Sequence, residues 1–460
     1  MSASVADLEA TGPMDLIAAC TRYIILPTYL QWKGSEQLRQ YRRLMKSQFF
    51  PEEELRRRQW TAVQDMLRYA YGHNRFYRRR LHELGATPDD FRSWADFERL
   101  PLLTKDDLRE HADELLSHGW DVSSLIRKRT GGSTGVPVHL YRDLPAFRKK
   151  AGVVMRHDEW AYFQVGMKKA ALWGNVQPRT SLWHRLTNAL YDRTIYLDTL
   201  EMDDRSMVDF AERIRRTSTQ LLFGHGHSLY HFARFLRDRR VMDLKLKGII
   251  SSAEMLPPEE RRVVEEVFGD IVFDRYGCEE VGLIASECER HDGMHVAAEG
   301  IYVEILDGTE EVPGRIVVTD LLNHAMPVLR YEIGDLALTK PGPCTCGRGL
   351  PRIGRVIGRT SDFLYTPEGR QISGISLLDT VIIHIPGFRR VQVVQESLDS
   401  LTFNVVKGEG FSDASLETLA AAVAKYFGLS MTHKVVIVDA IPLTGRGKFQ
   451  FSICKVKPTK

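Results

Sequence analysis

The first part of the chain has the spacing of amphipathic helices. Between residues 35 and 118, charged residues alternate with regularly spaced leucines, and β-branched residues are few. This pattern predicts helices over Glu53–Tyr71 and Arg75–Leu84, followed by shorter ones over Asp89–Leu100 and Thr104–Leu116. Thr104 and Asp107 have the spacing of a capping box, which predicts that the last of these helices begins just after Thr104.

Short β-rich runs then alternate with helical runs through the middle of the chain. The predicted strands are Lys168–Leu172, Gln220–Leu222, Gly248–Ile250 and Ile271–Phe273. The predicted helices are Pro145–Ala161, Asp203–Arg216, Ser228–Arg237 and Pro257–Phe268. Alternation of this kind predicts an α/β fold built in layers.

Strand and turn patterns dominate the remainder of the chain. The first predicted strands there are Ile301–Ile305, Gly314–Asp320 and Val328–Ile333. The C-terminal part predicts a small α+β unit, with strands over Arg390–Gln395, Leu401–Val406 and Lys434–Val438 and a helix over Ser415–Phe427. We therefore predict two domains, a large α/β domain over residues 1–358 with a helical N-terminal extension and a small α+β domain over residues 359–460.

Length and composition agree with this division. The chain has 460 residues, which exceeds the roughly 250–300 residues at which a single core tends to split. Its 43% of hydrophobic and 27% of charged residues exclude wholesale disorder and fibrous architectures. The 63 basic and 60 acidic residues give a net charge of +3, too mild to indicate a nucleic-acid partner.

The N-terminal sequence predicts no transmembrane segment. The apolar stretch Leu16–Leu30 contains Arg22 and Pro27 and is too short to span a bilayer, so a buried or surface-lying helix is expected. Asp7 and Glu9 lie where a signal peptide would need positive charge. The six cysteines are too few for a disulfide scaffold in a chain of this length, and a cytoplasmic location is expected.

The segment Thr130–Val138 has the composition of a phosphate-binding loop. Its first six positions hold three glycines and three hydroxyl residues. Backbone N–H groups and the hydroxyls of Ser133 and Thr134 can donate to phosphate oxygens. The Gly-Lys-Ser/Thr sequence of a Walker loop is absent from the segment, and a simple polar turn is the alternative interpretation.

A second polar segment, Arg275–Glu280, directly follows the predicted strand Ile271–Phe273. The carboxyl end of such a strand is where nucleotides bind in open α/β sheets. Tyr276 can stack on a base there, and Glu280 can bind Mg²⁺ that bridges phosphates. A turn with solvated carboxylates is the alternative.

Two further residues have suitable positions for nucleotide chemistry. Asp335 follows a predicted strand, and its carboxylate can accept both hydroxyls of a ribose. Lys448 is presented by the glycine-containing loop Pro442–Gln450, where it can neutralise charge on a transferring phosphoryl or adenylyl group. An ordinary surface turn is the alternative for this lysine.

In their order along the chain, these segments resemble the adenylate-forming superfamily of acyl-CoA synthetases, adenylation domains and luciferases. The resemblance is greatest to the phenylacetate-CoA ligase-like (CapK-like) branch and runs from about Arg43 to the C-terminus. By this resemblance, the cofactor-binding residues are Thr130, Gly131, Gly132, Ser133, Thr134 and Gly135 for phosphate, Ser252, Ala253, Glu254, Tyr276 and Gly277 for adenine, and Asp335 and Arg359 for ribose. The catalytic residues are Lys448 and Glu280, of which Glu280 also binds magnesium.

The resemblance also implies an activity and a mobile C-terminal domain that carries Lys448. A carboxylic acid would react with ATP and Mg²⁺ to give an acyl-adenylate, and the acyl group would then pass to CoA. Transfer to an amine or a carrier protein is the alternative, and a catalytically silent nucleotide-binding scaffold is a third. Val136 stands where many relatives have lysine, so binding of the triphosphate is expected to depend more on backbone and hydroxyl groups.

Cysteines and histidines outside these motifs indicate a metal site. Cys344 and Cys346 lie in a turn rich in proline and glycine, and thiolates and imidazoles are the ligands that tetrahedral zinc prefers. Some members of the branch resemble this pattern, which implies structural zinc bound by Cys288, His295, Cys344 and Cys346. His291 is the alternative ligand, and reduced thiols without a metal are the alternative interpretation.

Two histidines in the Phe223–His227 segment have less specific roles. His225 and His227 can border the pocket for the acid, act on a substrate, or simply form hydrogen bonds in a loop. The sequence does not identify the carboxylic acid.

Overall fold

The computed structural model describes residues 15–130, 138–173, 181, 187–199, 202–359, 363–368, 371–373, 377, 382, 385–442 and 451–456. Its N-terminal part is helical. The helices are α1 (Leu16–Cys20), α2 (Leu26–Trp32), α3 (Gln37–Ser47), α4 (Glu52–His73), α5 (Arg75–Glu83), α6 (Trp94–Phe97), α7 (Lys105–Glu110) and α8 (Ala112–Leu115), and a π-helical turn over Thr21–Ile25 joins α1 to α2.

The sequence periodicity explains α4. Leu55, Val63, Met66, Leu67 and Ala70 are buried along one face of this helix, and its other face is charged. The capping box before α7 is confirmed, because the Thr104 hydroxyl accepts from the Asp107 N–H while Asp107 accepts from the Thr104 N–H. The expected helix over Asp89–Leu100 is shorter than predicted, since the Ser93–Asp96 capping box begins the four-residue helix α6 there.

A hairpin and one large sheet form the middle of the chain. The hairpin consists of β1 (Ile126–Thr130) and β2 (Val138–Arg142). The strands of the sheet are β3 (Lys169–Trp173), β4 (Thr194–Asp198), β5 (Leu221–His225), β6 (Gly248–Ser252), β7 (Val272–Cys278), β8 (Gly282–Glu287), β9 (Met294–Val296), β10 (Ile301–Leu306), β11 (Gly314–Asp320), β12 (Tyr331–Thr339) and β13 (Arg352–Arg359). They lie in the order β10-β11-β12-β13-β9-β8-β7-β6-β5-β3-β4.

The direction of pairing divides this sheet into two parts. Strands β4, β3, β5, β6 and β7 are parallel neighbours, whereas β7 pairs antiparallel with β8. The helices packed around it are α9 (Leu144–Trp160), α10 (Asp204–Thr217), α11 (Gly226–Asp238) and α12 (Pro258–Phe268). The carboxyl ends of the parallel strands therefore share one edge, which is where open α/β sheets place their ligands.

The C-terminal part forms a separate small unit. Its strands are β14 (Phe363–Tyr365), β15 (Gln371–Ser373), β16 (Phe388–Ser397), β17 (Ser400–Lys407), β18 (Thr432–Ile437) and β19 (Ser452–Cys454), and its helix is α13 (Asp413–Phe427). Strands β16–β19 form a sheet in the order β18-β17-β16-β19. A hydrophobic core of its own includes Leu364, Val393, Phe403 and Leu419.

The predicted fold class is confirmed: a layered α/β unit with a helical extension is followed by a small α+β unit. One strand differs from the prediction, because β12 begins at Tyr331 rather than Val328 and continues to Thr339. The left-handed backbone at Arg330, with φ of 48°, breaks the extended path before that strand. The described helices include none that combines the length and the hydropathy needed to cross a bilayer.

Candidate active site

Two of the predicted nucleotide segments lie at the carboxyl ends of neighbouring parallel strands. Ser252 ends β6 and is paired with Arg275 of β7, so Ala253 and Glu254 leave the sheet beside Tyr276. Ala253 has a left-handed backbone with φ of 66°, which turns the chain sharply at this point. The structure therefore brings the predicted adenine residues to one edge of the sheet.

Gly277 fits this turn because it has no side chain. A Cβ atom at this position would lie 2.5 Å from the carbonyl oxygen of Gly282, well inside any normal contact. The tight approach folds β8 back against the end of β7. Any larger residue would force the backbone of β7 and β8 apart at this turn.

Tyr276 and Asp335 are in direct contact. The Tyr276 hydroxyl donates to Oδ2 of Asp335 at 2.7 Å, although 59 residues separate them. Asp335 is buried, and it is paired across the sheet with Arg359 of β13. The backbone register thus places the two residues predicted for ribose side by side.

Glu280 lies close to the same group. One of its carboxylate oxygens accepts from the Tyr331 hydroxyl at 3.2 Å. Burial, together with the Glu280 charge, raises the pKa of the Tyr331 hydroxyl, so this hydroxyl remains a donor. Burial and the same carboxylate also raise the pKa of Cys278, which keeps that thiol protonated and unsuited to act as a nucleophile.

The hairpin that holds the predicted phosphate loop brings two cations to Glu280. Strand β1 ends at Thr130 and β2 begins at Val138, and residues 131–137 lie outside the described residues. The register pairs Ile126 with Arg142, and Lys128 lies two residues further along, so both cations stand on one face of the hairpin. A small recess there is lined by both cations and by Glu279 and Glu280.

Sequence reasoning did not single out these two cations. The Lys128 ammonium lies 3.8 Å from a Glu279 carboxylate oxygen. The Arg142 guanidinium donates weakly to the Glu280 carbonyl oxygen at 3.5 Å. Side chains two residues apart on a strand lie on the same face. Lys128 is two residues before Thr130, so this pattern could have identified Lys128 from the sequence.

The four predicted zinc ligands form one cluster. The ligand atoms of Cys288, His295, Cys344 and Cys346 all lie within 4.8 Å of one another. The Cys288 and Cys344 sulfurs are 3.8 Å apart, and the Cys346 sulfur lies 3.3 Å from His295 Nε2. A tetrahedral zinc with bonds of about 2.3 Å to sulfur would hold two thiolates about 3.8 Å apart, so the donor set and spacing fit this metal.

The surroundings of His295 also suit a ligand. Its Nδ1 lies 3.2 Å from the Leu350 carbonyl oxygen, so a proton on Nδ1 leaves Nε2 facing the cysteines. His291 lies elsewhere, with its Nδ1 3.2 Å from a Glu287 oxygen and 3.2 Å from the Arg261 guanidinium. The geometry therefore favours His295 over His291 as the fourth member of the cluster.

The two histidines of the Phe223–His227 segment differ in their contacts. His225 is buried, and its ring lies 4.2 Å from that of Trp173, which in turn stacks on Phe223 at 5.1 Å. His227 Nδ1 lies 2.9 Å from a Glu260 oxygen. Trp173, Phe223 and His225 form an aromatic wall beside the carboxyl ends of β3 and β5.

A cavity of about 360 Å³ adjoins the recess beside Glu279 and Glu280, because Arg142 lines both. Its lining also includes Lys150 of α9 and Val281, which directly follows Glu280. None of the described residues predicted for the nucleotide lines the cavity.

Comparisons with known proteins agree with the family resemblance of the sequence. Residues 364–455 match the family model of the CapK C-terminal domain. The chain is 23% identical to the protein CapK of Staphylococcus aureus, over 79% of this chain and 81% of that protein. It is 27% identical to phenylacetate-coenzyme A ligase of Thermus thermophilus, over 73% of this chain and 77% of that enzyme. The chain is similar in fold to the crystal structure of 2-hydroxyisobutyryl-CoA ligase in the postadenylation state, in complex with R3-HIB-AMP. The TM-score is 0.67 and the identity is 23%, over 86% of this chain and 88% of that one.

These likenesses confirm the resemblance to the phenylacetate-CoA ligase-like branch. Several residues of the motifs of that branch lie outside the described residues, namely Gly131, Gly132, Ser133, Thr134, Gly135 and Lys448. The structure describes the strands that flank them, β1 and β2 around the loop and β18 and β19 around Lys448. The side chains of Thr130 and Arg359 are likewise outside the description.

Proposed function

We propose that the chain is an ATP-dependent ligase that converts a carboxylic acid to an acyl-adenylate and then transfers the acyl group to CoA. The contact of 2.7 Å between Tyr276 and Asp335, with Glu280 four residues further on, carries this proposal. Two separate segments there combine an aromatic ring, a buried carboxylate and a second carboxylate. The relatives named phenylacetate-coenzyme A ligase support CoA as the acceptor.

In this proposal, the adenosine lies across the ends of β6 and β7. The Tyr276 ring stacks on adenine, and Ser252, Ala253, Glu254 and Gly277 line its edge. Asp335 and Arg359 bind the ribose, and their direct pairing between β12 and β13 favours a shared ligand. The hydroxyl of Tyr276 fixes the Asp335 carboxylate in position to accept from the ribose hydroxyls.

The phosphates lie toward the β1–β2 hairpin. The Thr130–Gly135 loop donates to them, and Lys128 and Arg142 add positive charge beside it. This arrangement offsets the absence of a lysine at position 136. Mg²⁺ bound by the Glu280 carboxylate would offset further negative charge on the phosphates, since carboxylate oxygens are the ligands that this ion prefers.

The proposed activity has two steps, adenylation of the acid and transfer of the acyl group to CoA. A carboxylate oxygen of the acid attacks the α-phosphorus of ATP, and the bond from that phosphorus to pyrophosphate breaks. Lys448 stabilises the charge that develops at this phosphorus. The CoA thiolate next attacks the acyl carbon, and AMP leaves with the electron pair of the broken carbon–oxygen bond. The aromatic wall of Trp173, Phe223 and His225 positions the acid.

The cluster of Cys288, His295, Cys344 and Cys346 is proposed to bind structural zinc. Four protein ligands would leave no open coordination position for water or substrate. Such a site would fasten the turn that carries Cys344 and Cys346 to the end of β8 and to β9. Its expected role is stability rather than chemistry.

The decisive experiment measures pyrophosphate release with a panel of carboxylic acids. We expect release that depends on both ATP and an acid, and loss of at least about a thousandfold in Lys448→Ala because the lysine acts on the transition state. Lys434→Ala, at an exposed position of β18, is the matched control. Release that Lys448→Ala leaves unchanged would contradict the proposed adenylation.

The acceptor is tested separately. CoA-dependent formation of AMP and a thioester supports CoA. Adenylate that hydroxylamine traps, with no product formed from CoA, would instead support an amine or a carrier protein. Absence of any acid-dependent release would favour the silent scaffold.

A further inference from the structure

The first helical segment is apolar on two opposite sides. On its inner side Thr21, Leu26 and Leu30 are buried against the body of the protein. On its outer side six large apolar residues are exposed, several of them by more than two thirds: Leu16, Ile17, Tyr23, Ile24, Tyr29 and Trp32. We call these six residues the outer apolar face. A helix that is apolar all round is normally covered on both sides, and soluble monomers rarely leave such a patch open.

Specific contacts fix the inner side of this segment in place. The Thr21 hydroxyl donates to the Leu190 carbonyl oxygen at 2.6 Å. Gly166, with φ of 94°, lets the helix approach so closely that a Cβ atom there would lie 2.5 Å from the Ala18 carbonyl oxygen. The direction of the outer apolar face is therefore set by the fold.

A row of positive charge follows on α3. Arg39, Arg42, Arg43 and Lys46 are exposed and spaced at i, i+3, i+4 and i+7, which places them on one face of the helix. We call them the basic stripe. Residues 16–49 contain six basic residues and one acidic residue, a net +5 against +3 for the whole chain. Among the described residues, Arg42, Arg43 and Lys46 have no acidic partner within ion-pair distance.

The outer apolar face and the basic stripe belong to helices that contact the same residue, Glu159. Arg22, on the inner side of the first segment, donates to a Glu159 oxygen at 3.3 Å. Tyr41, on the inner side of α3, donates to the same Glu159 oxygen. Because both helices direct an inner side chain at Glu159, the outer apolar face and the basic stripe belong to neighbouring helices at the protein surface.

We propose that this combined surface docks on an anionic lipid bilayer. An apolar helical face with tyrosine and tryptophan beside a row of basic residues has the chemistry of an interfacial membrane helix. A second copy fits less well, because its own copy of this surface carries the same excess of positive charge and offers the basic stripe little acidic complement. The inference does not depend on the proposed ligase activity.

The test is cosedimentation of the full chain with vesicles of phosphatidylcholine alone and of phosphatidylcholine mixed with phosphatidylglycerol. We expect binding to the mixed vesicles that weakens as salt is added, because surface charges are screened. R42Q/R43Q/K46Q should bind about a hundredfold more weakly, since each basic residue near an anionic surface changes partitioning about fivefold. Y23S/I24S/W32S should lose binding at every salt concentration, and W32F should remove most of the change in tryptophan emission that the vesicles cause.

Controls keep the outcome specific. Leu429→Ser removes an apolar side chain that is 95% exposed on the small unit, and it should leave binding unchanged. Thermal unfolding identifies any variant that fails to fold, and W32F serves as the conservative substitution if the triple variants are unstable. Failure of the wild type to bind mixed vesicles, or binding that folded R42Q/R43Q/K46Q and Y23S/I24S/W32S both retain, would overturn the proposal. Dimerisation abolished by Y23S/I24S/W32S, without any vesicle binding, would overturn it in favour of an interface between copies.

Discussion

Lys128 and Arg142 stand beside Glu279 and Glu280 on one face of the β1–β2 hairpin. The Lys128 ammonium is partly exposed, and its contact with Glu279 at 3.8 Å is a loose one. A phosphate group entering from the loop would form stronger, charge-assisted hydrogen bonds with this ammonium than Glu279 does. Lys128 is therefore the residue at which we expect the charge of the triphosphate to be neutralised.

Substituting Lys128 tests this role. In Lys128→Met we expect the KM for ATP to rise about tenfold, as for the loss of one charge-assisted hydrogen bond, while the KM for the acid stays unchanged. Arg127→Met is the matched control, because Arg127 lies on the opposite face of the same strand. Equal effects of the two substitutions in pyrophosphate-release assays would rule out a specific role for Lys128.

The cysteine cluster gives a second prediction for single residues. In Cys346→Ser we expect elemental analysis to show the loss of bound zinc, together with a melting temperature several degrees lower. Cys454→Ser is the control, because Cys454 is a half-buried cysteine of the small unit that lies outside the cluster. Protein purified from zinc-supplemented medium that contains no zinc would refute the site.

The elements of the fold were largely predictable, and so was part of the site. Tyr276, Glu280 and Asp335 could be singled out from their motifs and their closeness to predicted strands. The structure places Tyr276 inside β7 and Asp335 inside β12, so the prediction that Asp335 follows a strand was wrong. The contribution of Arg142 could not be predicted, because it depends on the register of an antiparallel hairpin around a loop. The early start predicted for β12 failed for a local reason, the left-handed backbone of Arg330.

Helix α11 carries a histidine that should make stability depend on pH. Burial, with the nearby positive charges of Arg234 and Arg390, lowers the pKa of His231 to about 4. The unfolded chain, with a histidine pKa of about 6.5, binds more protons than the folded chain between these values. The free energy of unfolding should therefore fall as the pH drops from about 6.5 to 4.

Denaturant unfolding at several pH values measures this contribution. On acidification, we expect the free energy of unfolding of His231→Gln to fall by about 1–2 kcal/mol less than that of the wild type. This figure is reduced because the histidine is partly exposed to solvent. His433→Gln, at an exposed position of β18, should leave the profile unchanged. Parallel profiles for the wild type and His231→Gln would show that His231 does not titrate in this range.

At the scale of the molecule, a polar contact between described residues joins the small unit to the large one. The guanidinium of Arg390, in β16, lies 3.0 Å from His227 Nε2. His227 in turn lies 2.9 Å from Glu260 through its Nδ1. A neutral imidazole satisfies both neighbours, donating to the carboxylate from Nδ1 and accepting from the guanidinium at Nε2. Strand β16 also pairs with β19, which begins just after the segment that carries Lys448.

Anchoring β16 therefore anchors the flank of the lysine loop. In Arg390→Leu we expect acid-dependent pyrophosphate release to fall about five- to tenfold, because Lys448 would spend less time at the nucleotide. Arg389→Leu, at the neighbouring position of β16, should have little effect, since its side chain is exposed. A His227→Gln chain keeps an acceptor for the guanidinium and should lose less activity than Arg390→Leu. If Arg390→Leu instead matches Arg389→Leu, the contact does not position the small unit for adenylation, and Lys448 must reach the phosphate from another arrangement of the two units.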